Sequence, residues 1–153
     1  MNQEQGIYLF HQGTNFSAYK LLGSHFYNDG VIFRVWAPNA KKVAVVGDFN
    51  CWDRYKNVMI KITEEGLWEV FIPGVKEYDS YKYAILTKSN RYILKSDPYA
   101  FHSELRPNTA SKVFNLEGYK FNDEVWMKNR IQHHYYNKPL NIYELNLASW
   151  RKY

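Results

Sequence analysis

A chain of 153 residues, 46% hydrophobic and 23% charged, has the composition of one ordinary globular domain or one domain with an appendage, and not that of a disordered segment. No run approaches the roughly 20 apolar residues that cross a bilayer, and no charged-then-apolar leader opens the chain, so a cytoplasmic protein without membrane partners is expected. The net charge of +5 is spread rather than clustered: residues 1–118 hold 14 bases and 12 acids, residues 119–153 hold 6 and 3, and the adjacent basic pairs are Lys41-Lys42 and Arg151-Lys152. A nucleic-acid partner, which would need a basic stripe on one face, is therefore not expected.

Cys51 stands alone, which excludes an intramolecular disulfide and a cysteine-rich metal site. What the composition favours is rings: 14 Tyr, 9 Phe and 5 Trp make up 18% of the chain.

In chain order, residues 15–22 suit one or two helical turns, with Asn15 as cap and Gly23 as stop. Residues 31–37 alternate as a strand, with Val31, Phe33 and Val35 on one face, until Pro38 ends it. Asn39-Ala40 then reads as a short hairpin-like connection to a strand at 42–46. Further strands are expected at 58–62 and 67–72, where Trp68, Val70 and Ile72 share a face, and at 80–86 and 91–95, paired across residues 87–90. A last short strand is expected at 111–115. About seven short strands without intervening helices predict an all-β fold, an immunoglobulin-like antiparallel β-sandwich. Residues 122–131, with early acids and late bases, predict a short helix. At 142–147 a strand pattern resumes close to the end, as if it were the truncated first strand of something further on.

Four segments carry a family resemblance. VVGDFNCWD at 45–53 resembles the GDFNxWD turn of carbohydrate-binding module family 48, found in α-glucan branching and debranching enzymes and in the β subunit of AMP-activated kinase. DPYAFHSELRPNTAS at 97–111 is similar to a stretch of bacterial 1,4-α-glucan branching enzymes, and YLFHQGTN at 8–15, followed by LGSH at 22–25, resembles their opening. IYELNLASWR at 142–151 resembles the entry to their catalytic (β/α)₈ barrel, with Asn146 and Ala148 where that family usually shows His and Gly.

The resemblance implies an N-terminal glucan-binding region of a branching enzyme. It divides the chain into an arm (1–22), the sandwich (23–118), a linker with a short helix (119–141) and the start of the barrel (142–153). The family's catalytic acids lie in the barrel and none maps here, so this chain is expected to be non-catalytic, without cofactor or metal. Its expected partners are glycogen or another α-1,4-glucan and the barrel of its own parent chain. Two alternatives are a stand-alone or debranching-enzyme glycogen-binding module and a single-stranded nucleic-acid domain whose rings stack bases.

A glucan is neutral, with apolar ring faces and hydroxyl edges, so a protein holds it with aromatic platforms and a few amides or amines. Covering ~50 Å² of sugar face with one ring yields about 1–1.5 kcal/mol, so several rings, or several modules, are needed. Trp52 matches the family's stacking Trp, Tyr92 stands where the kinase-type modules carry a second one, and Lys82 matches a lysine that bonds sugar hydroxyls. Each has a plainer reading: Trp52 folded over the sandwich edge, Lys82 and Tyr92 as ordinary strand residues. Asn50 could offer its amide to a hydroxyl, yet Asn in a turn more often bonds its own backbone. Trp36 and Trp68 are expected as core or interface rings, Trp126 as a pin for its helix, and Asp48 and Asp53 as turn-stabilising acids. Glu104 and Arg106 suit pairing with a neighbouring domain. His133-His134 has no third ligand nearby.

Overall fold

The computed structural model describes residues 2–118, 120–132, 139 and 141–146. Residues up to 118 form one unit and those from 119 another. In the first, nine strands follow a helix α1 (Gln3–His11) and a single 3-10 turn (Ala18–Lys20). They are β1 (Gly23–Tyr27), β2 (Gly30–Trp36), β3 (Lys42–Gly47), β4 (Ile60–Lys61), β5 (Leu67–Pro73), β6 (Ser80–Leu86), β7 (Tyr92–Lys95), β8 (His102–Ser103) and β9 (Ser111–Lys112). Their pairing is antiparallel throughout. One sheet has the order β1-β2-β5-β4; the other has the order β3-β6-β9-β8, with β7 also pairing β6.

The core is what period-two alternation dictates. Val31, Phe33 and Val35 of β2 and Trp68 and Ile72 of β5 turn inward from the first sheet. Val43 and Val45 of β3 and Tyr81 and Tyr83 of β6 meet them from the second. The all-β immunoglobulin-like sandwich expected from the sequence is thus the one built, and the pairing of 80–86 with 91–95 is the β6–β7 hairpin.

Other expectations change. The connection at Asn39-Ala40 is no hairpin: β2 and β3 lie in different sheets, and the chain crosses between them. Residues 58–62 do not form one strand. Asn57 and Met59 bond Val45 and Val43 along the free edge of β3, whereas Ile60–Lys61 pairs with β5 in the other sheet. The segment is a corner where the chain changes sheets.

The helix expected at 15–22 is reduced to its 3-10 turn, and Asn15 does not cap it. Its amide donates to Gly6 O (3.0 Å) and its Oδ1 accepts from Ser17 N (3.0 Å), a local turn that competes with helix. The helix lies earlier, with Asn2 Oδ1 accepting from Gln5 N at 2.8 Å. Gly6 is the buried residue of α1.

Trp68 is buried, as expected, but Trp36 is 51% exposed. Since Val35 points inward, the next residue must point out. Its indole donates to Glu65 O (2.9 Å) and meets the Phe10 ring edge-on at 5.9 Å.

Asp97 ties the 97–111 segment to the sandwich. Its Oδ2 accepts from the hydroxyls of Tyr81 (2.6 Å) and Tyr83 (3.1 Å), and its Oδ1 from Tyr99 N (2.8 Å). Its own N–H donates to Ser111 Oγ at 2.8 Å. Burial pushes the Asp97 carboxyl and both phenols up from their ordinary values. Glu104 accepts from Ala110 N (2.8 Å), holding the same segment from its far side.

In the second unit, helix α2 (Glu124–Gln132) forms close to the expected 122–131, and Arg130 stands 5.4 Å over the Trp126 ring. Residues 141–146, where the strand pattern resumes, are irregular. Leu147, the rest of the barrel-entry match and His133-His134 lie outside the described residues. No helix among the described residues is long and apolar enough to cross a membrane, and no group of three potential metal ligands occurs among them.

Candidate functional site

The turn after β3 is built around a close approach. A Cβ at Gly47 would lie 2.4 Å from Ser80 O, so only glycine lets β3 run on beside β6 here. A 3-10 turn (Asp48–Asn50) follows, and then Cys51 and Trp52 both adopt the left-handed region, with φ 58° and 60°. Two consecutive non-glycine residues in that region cost on the order of 1 kcal/mol or more each, and persist only where their surroundings hold them.

The surroundings do so. Trp52 N donates to Gly47 O (3.0 Å), the Trp52 indole to Asp48 Oδ1 (3.2 Å), and Ser80 N to Asp48 Oδ2 (2.8 Å). Asp53 Oδ1 accepts from Tyr55 N (2.9 Å). Asp48 and Asp53 thus fasten the turn. The outcome is an indole held at one orientation yet 41% exposed.

Asn50 takes the plainer of its two readings. It is 5% exposed. Its Oδ1 accepts from Gly47 N (3.0 Å), and its amide donates to Val45 O (2.8 Å) and Asn57 Oδ1 (2.6 Å). The whole amide is committed to the turn, leaving nothing for a ligand hydroxyl.

Register shows which strand residues beyond the turn face outward. Directly opposed residues of antiparallel strands lie on one side of the sheet. Val46 opposes Lys82, Ala44 opposes Ala84, and Ala84 in turn opposes Leu94; Lys42 opposes Leu86, which opposes Tyr92. Because Val43, Val45, Tyr81 and Tyr83 fill the core, this second set faces outward. The small side chains Ala44 and Ala84 floor a shallow hollow of ≈ 100 Å³ flanked by Arg54, Tyr55, Val58 and Tyr92. Trp52 is linked through Asp48 to Ser80 at one end of β6, and Tyr92 opposes Leu86 at the other.

Lys82 projects from the middle, flanked by inward Tyr81 and Tyr83, and its ammonium donates to Thr109 Oγ1 at 2.7 Å. Tyr92 does not offer both faces, because the Arg54 guanidinium stacks on it, 4.2 Å from the ring centroid. The motif ends at Asp53 and does not include Arg54 and Tyr55. A basic-aromatic pair directly after the GDFNCWD turn was the available signal.

The class that this fold defines is the antiparallel β-sandwich module, here with the Trp52 indole, the Lys82 amine and the Arg54-covered Tyr92 ring outside its core. Residues 21–100 match the family described as carbohydrate-binding module 48 (isoamylase N-terminal domain), and the chain belongs to that family. It is 51% identical to 1,4-alpha-glucan branching enzyme GlgB of Francisella philomiragia over 154 aligned residues, covering 97% of this chain and 24% of that enzyme. With the enzyme of the same name from Bacillus subtilis strain 168 it is 47% identical, covering 96% and 24%. The chain therefore spans about a quarter of the length of these curated relatives. Among solved structures, ligand-free PulA of Klebsiella pneumoniae is 28% identical with a TM-score of 0.53, across 67% of this chain and 10% of that one.

Proposed function

We propose that this chain is the glucan-holding N-terminal region of a bacterial 1,4-α-glucan branching enzyme, non-catalytic by itself. Its parent would cleave an α-1,4 link and pass the chain to a 6-hydroxyl on a barrel beyond residue 153. The observation that carries the reading is the strained turn that holds the Trp52 indole 41% exposed, tied through Asp48 to Ser80 at the start of β6, the strand that carries Lys82. Rings cover apolar sugar faces, while the Lys82 ammonium, by leaving Thr109, donates to hydroxyls. The likeness to branching enzymes along nearly all of this chain supports the same parent. A cytoplasmic setting fits the exposed free thiol of Cys51.

The test is affinity electrophoresis of the 153-residue chain in glycogen gels, together with an assay for chain transfer on amylose. Weak but measurable retardation is expected, without transfer. Lys82→Ala should weaken the retardation about two- to fivefold, the equivalent of one modest hydrogen bond. Because the ligand is uncharged, raising salt from about 50 to 200 mM should change glycogen binding by less than about twofold. A phosphate-reading surface with several contacts would lose orders of magnitude over that range. Turnover by this chain, or a steep salt dependence with an oligonucleotide bound in preference to glycogen, would overturn the reading.

A further inference from the structure

Strand β7 closes its hairpin with β6 and has its other edge open. Thr87 N donates to Arg91 O at 2.9 Å. Bonded and non-bonded pairs alternate along an antiparallel ladder, so Ile93 and Lys95 are the β7 residues that bond β6. The N–H and C=O groups of Tyr92 and Leu94 turn the other way, and no strand among the described residues pairs with them. Edges left open in this fashion are usually blunted by charge. β7 is short and ends on Lys95, yet Tyr92, Ile93 and Leu94 are three successive large apolar residues, all exposed.

Beside this edge runs an apolar groove of ≈ 490 Å³, between residues 36–40 and the β6–β7 hairpin, lined by Trp36, Pro38, Ile85 and Ile93. Two reciprocal bonds fix its sides: Lys88 Nζ donates to Asn39 Oδ1 (2.8 Å) and Lys41 Nζ to Asn90 Oδ1 (2.7 Å). Open backbone groups next to an apolar groove suit an extended polypeptide that adds a strand. Its main chain supplies the bonds, and every second side chain enters the groove.

Charge decides which polypeptide. Lys88 lines the groove, Arg91 directly precedes β7, Lys95 ends it, and Lys41 stands across the hairpin turn. The ion pairs among the described residues are His11–Glu65, Arg34–Glu69 and Lys61–Glu64, so none of these four cations is matched by a carboxylate there. An occupant that brings acids to the edge complements them. A second copy would bring the same cations and a net charge of +5, and residues 119–153 hold 6 bases against 3 acids.

We propose that β7 is a docking edge for an acidic, extended segment of another protein. The segment bonds the main chain of Tyr92 and Leu94 and sets an aliphatic side chain beside Ile93 in the groove. The proposal is independent of the glucan reading, since it uses the backbone of Tyr92 and not its Arg54-covered ring.

The probe is the alternating peptide EVEVEVEVE, with KVKVKVKVK as its charge control, titrated into the 153-residue chain. The Tyr92 and Leu94 amides should shift and, at peptide about ten times its Kd, exchange their hydrogens about tenfold more slowly. Ile93, already bonded to β6, should gain little. Reversing two exposed charges together, Lys88→Glu and Arg91→Glu, should weaken binding about tenfold or more. Methylating alternate backbone nitrogens gives two further peptides: the one blocked on the side that meets β7 should not bind, and its counterpart should bind like the parent peptide. Equal binding by these two, equal binding by the lysine peptide, or no binding at millimolar peptide would overturn the proposal. So would binding that leaves Tyr92 and Leu94 unmoved. Protection of those two amides that grows with chain concentration alone would overturn the acidic partner and give the edge to a second copy.

Discussion

Asp97→Ala should lower the unfolding free energy by about 3–5 kcal/mol, read as a fall in the denaturation midpoint at unchanged slope. The carboxylate is the common acceptor for two buried phenols and one backbone N–H, from Tyr81, Tyr83 and Tyr99. Removing it leaves those donors without water and without a partner, at about 1–3 kcal/mol for each one stranded. Tyr83 is the least affected, because its hydroxyl can turn to Arg34 O, 3.3 Å away. Asp97→Asn should cost markedly less, about 1–2 kcal/mol. Its amide oxygen can take the Tyr99 N–H while its NH₂ donates to phenolic oxygens, which are acceptors as well as donors. A loss under about 1 kcal/mol in the alanine variant would show that the three tyrosines find other partners.

The same residue gives the chain a pH signature of unusual sign. Burial raises the Asp97 carboxyl above its ordinary 3.8, against the opposing pull of the Tyr81, Tyr99 and Tyr83 hydrogen bonds and of His25. The folded state therefore binds this proton more tightly than the unfolded chain. Its stabilising contribution is fully present below 3.8 and is lost as pH rises through the raised folded value. Most paired carboxylates behave the other way and lose stability on acidification. Subtracting the Asp97→Asn curve from the parent curve should isolate a component that declines with rising pH just above 3.8. A flat difference, or one that rises with pH, would mean that the hydrogen bonds outweigh burial.

What was legible in the sequence was whatever depends on near neighbours. Val31, Phe33 and Val35, or Trp68, Val70 and Ile72, announce their strands by alternation alone. β1 does not, because its inward residues are Ser24 and Phe26 while His25 and Tyr27 point out, so polarity fails to track the pleat. The corner at 58–62 is apolar enough for one strand, but its halves bond to different sheets, β3 on one side and β5 on the other. Helix α1 has its signal in Asn2 and Gln5, whereas Asn15 starts no helix because its side chain bonds Gly6 O and its own loop. In the site, the turn residues around Trp52 were readable from GDFNCWD. The burial of Asn50 was not, since it follows from Val45 O and Asn57 lying on either side of the amide. Nor was the cover on Tyr92, since Arg54 reaches it only once β3, its flanking segment and β7 are assembled across the outer face.

Trp52→Ala should weaken glycogen binding by roughly tenfold while changing the unfolding free energy by no more than about 1 kcal/mol. One stack over ~50 Å² yields about 1.3 kcal/mol, and 1.4 kcal/mol corresponds to tenfold. The indole is 41% exposed, so its removal opens no cavity, and what the fold loses is its bond to Asp48 Oδ1. Trp52→Gly separates the two roles further. Glycine adopts φ 60° freely, so this variant should match or exceed the stability of the alanine variant while binding just as weakly. Trp52→Phe, which retains a smaller ring and no indole N–H, should fall between parent and alanine in binding. If the alanine variant instead lost about 2 kcal/mol or more of stability with glycogen retardation intact, the indole would be a cover for the sandwich edge. The strain at Cys51 and Trp52 would then serve packing alone. Binding and stability that move apart, in that order across Trp, Phe, Ala and Gly, are what a platform displayed at the expense of local backbone strain requires.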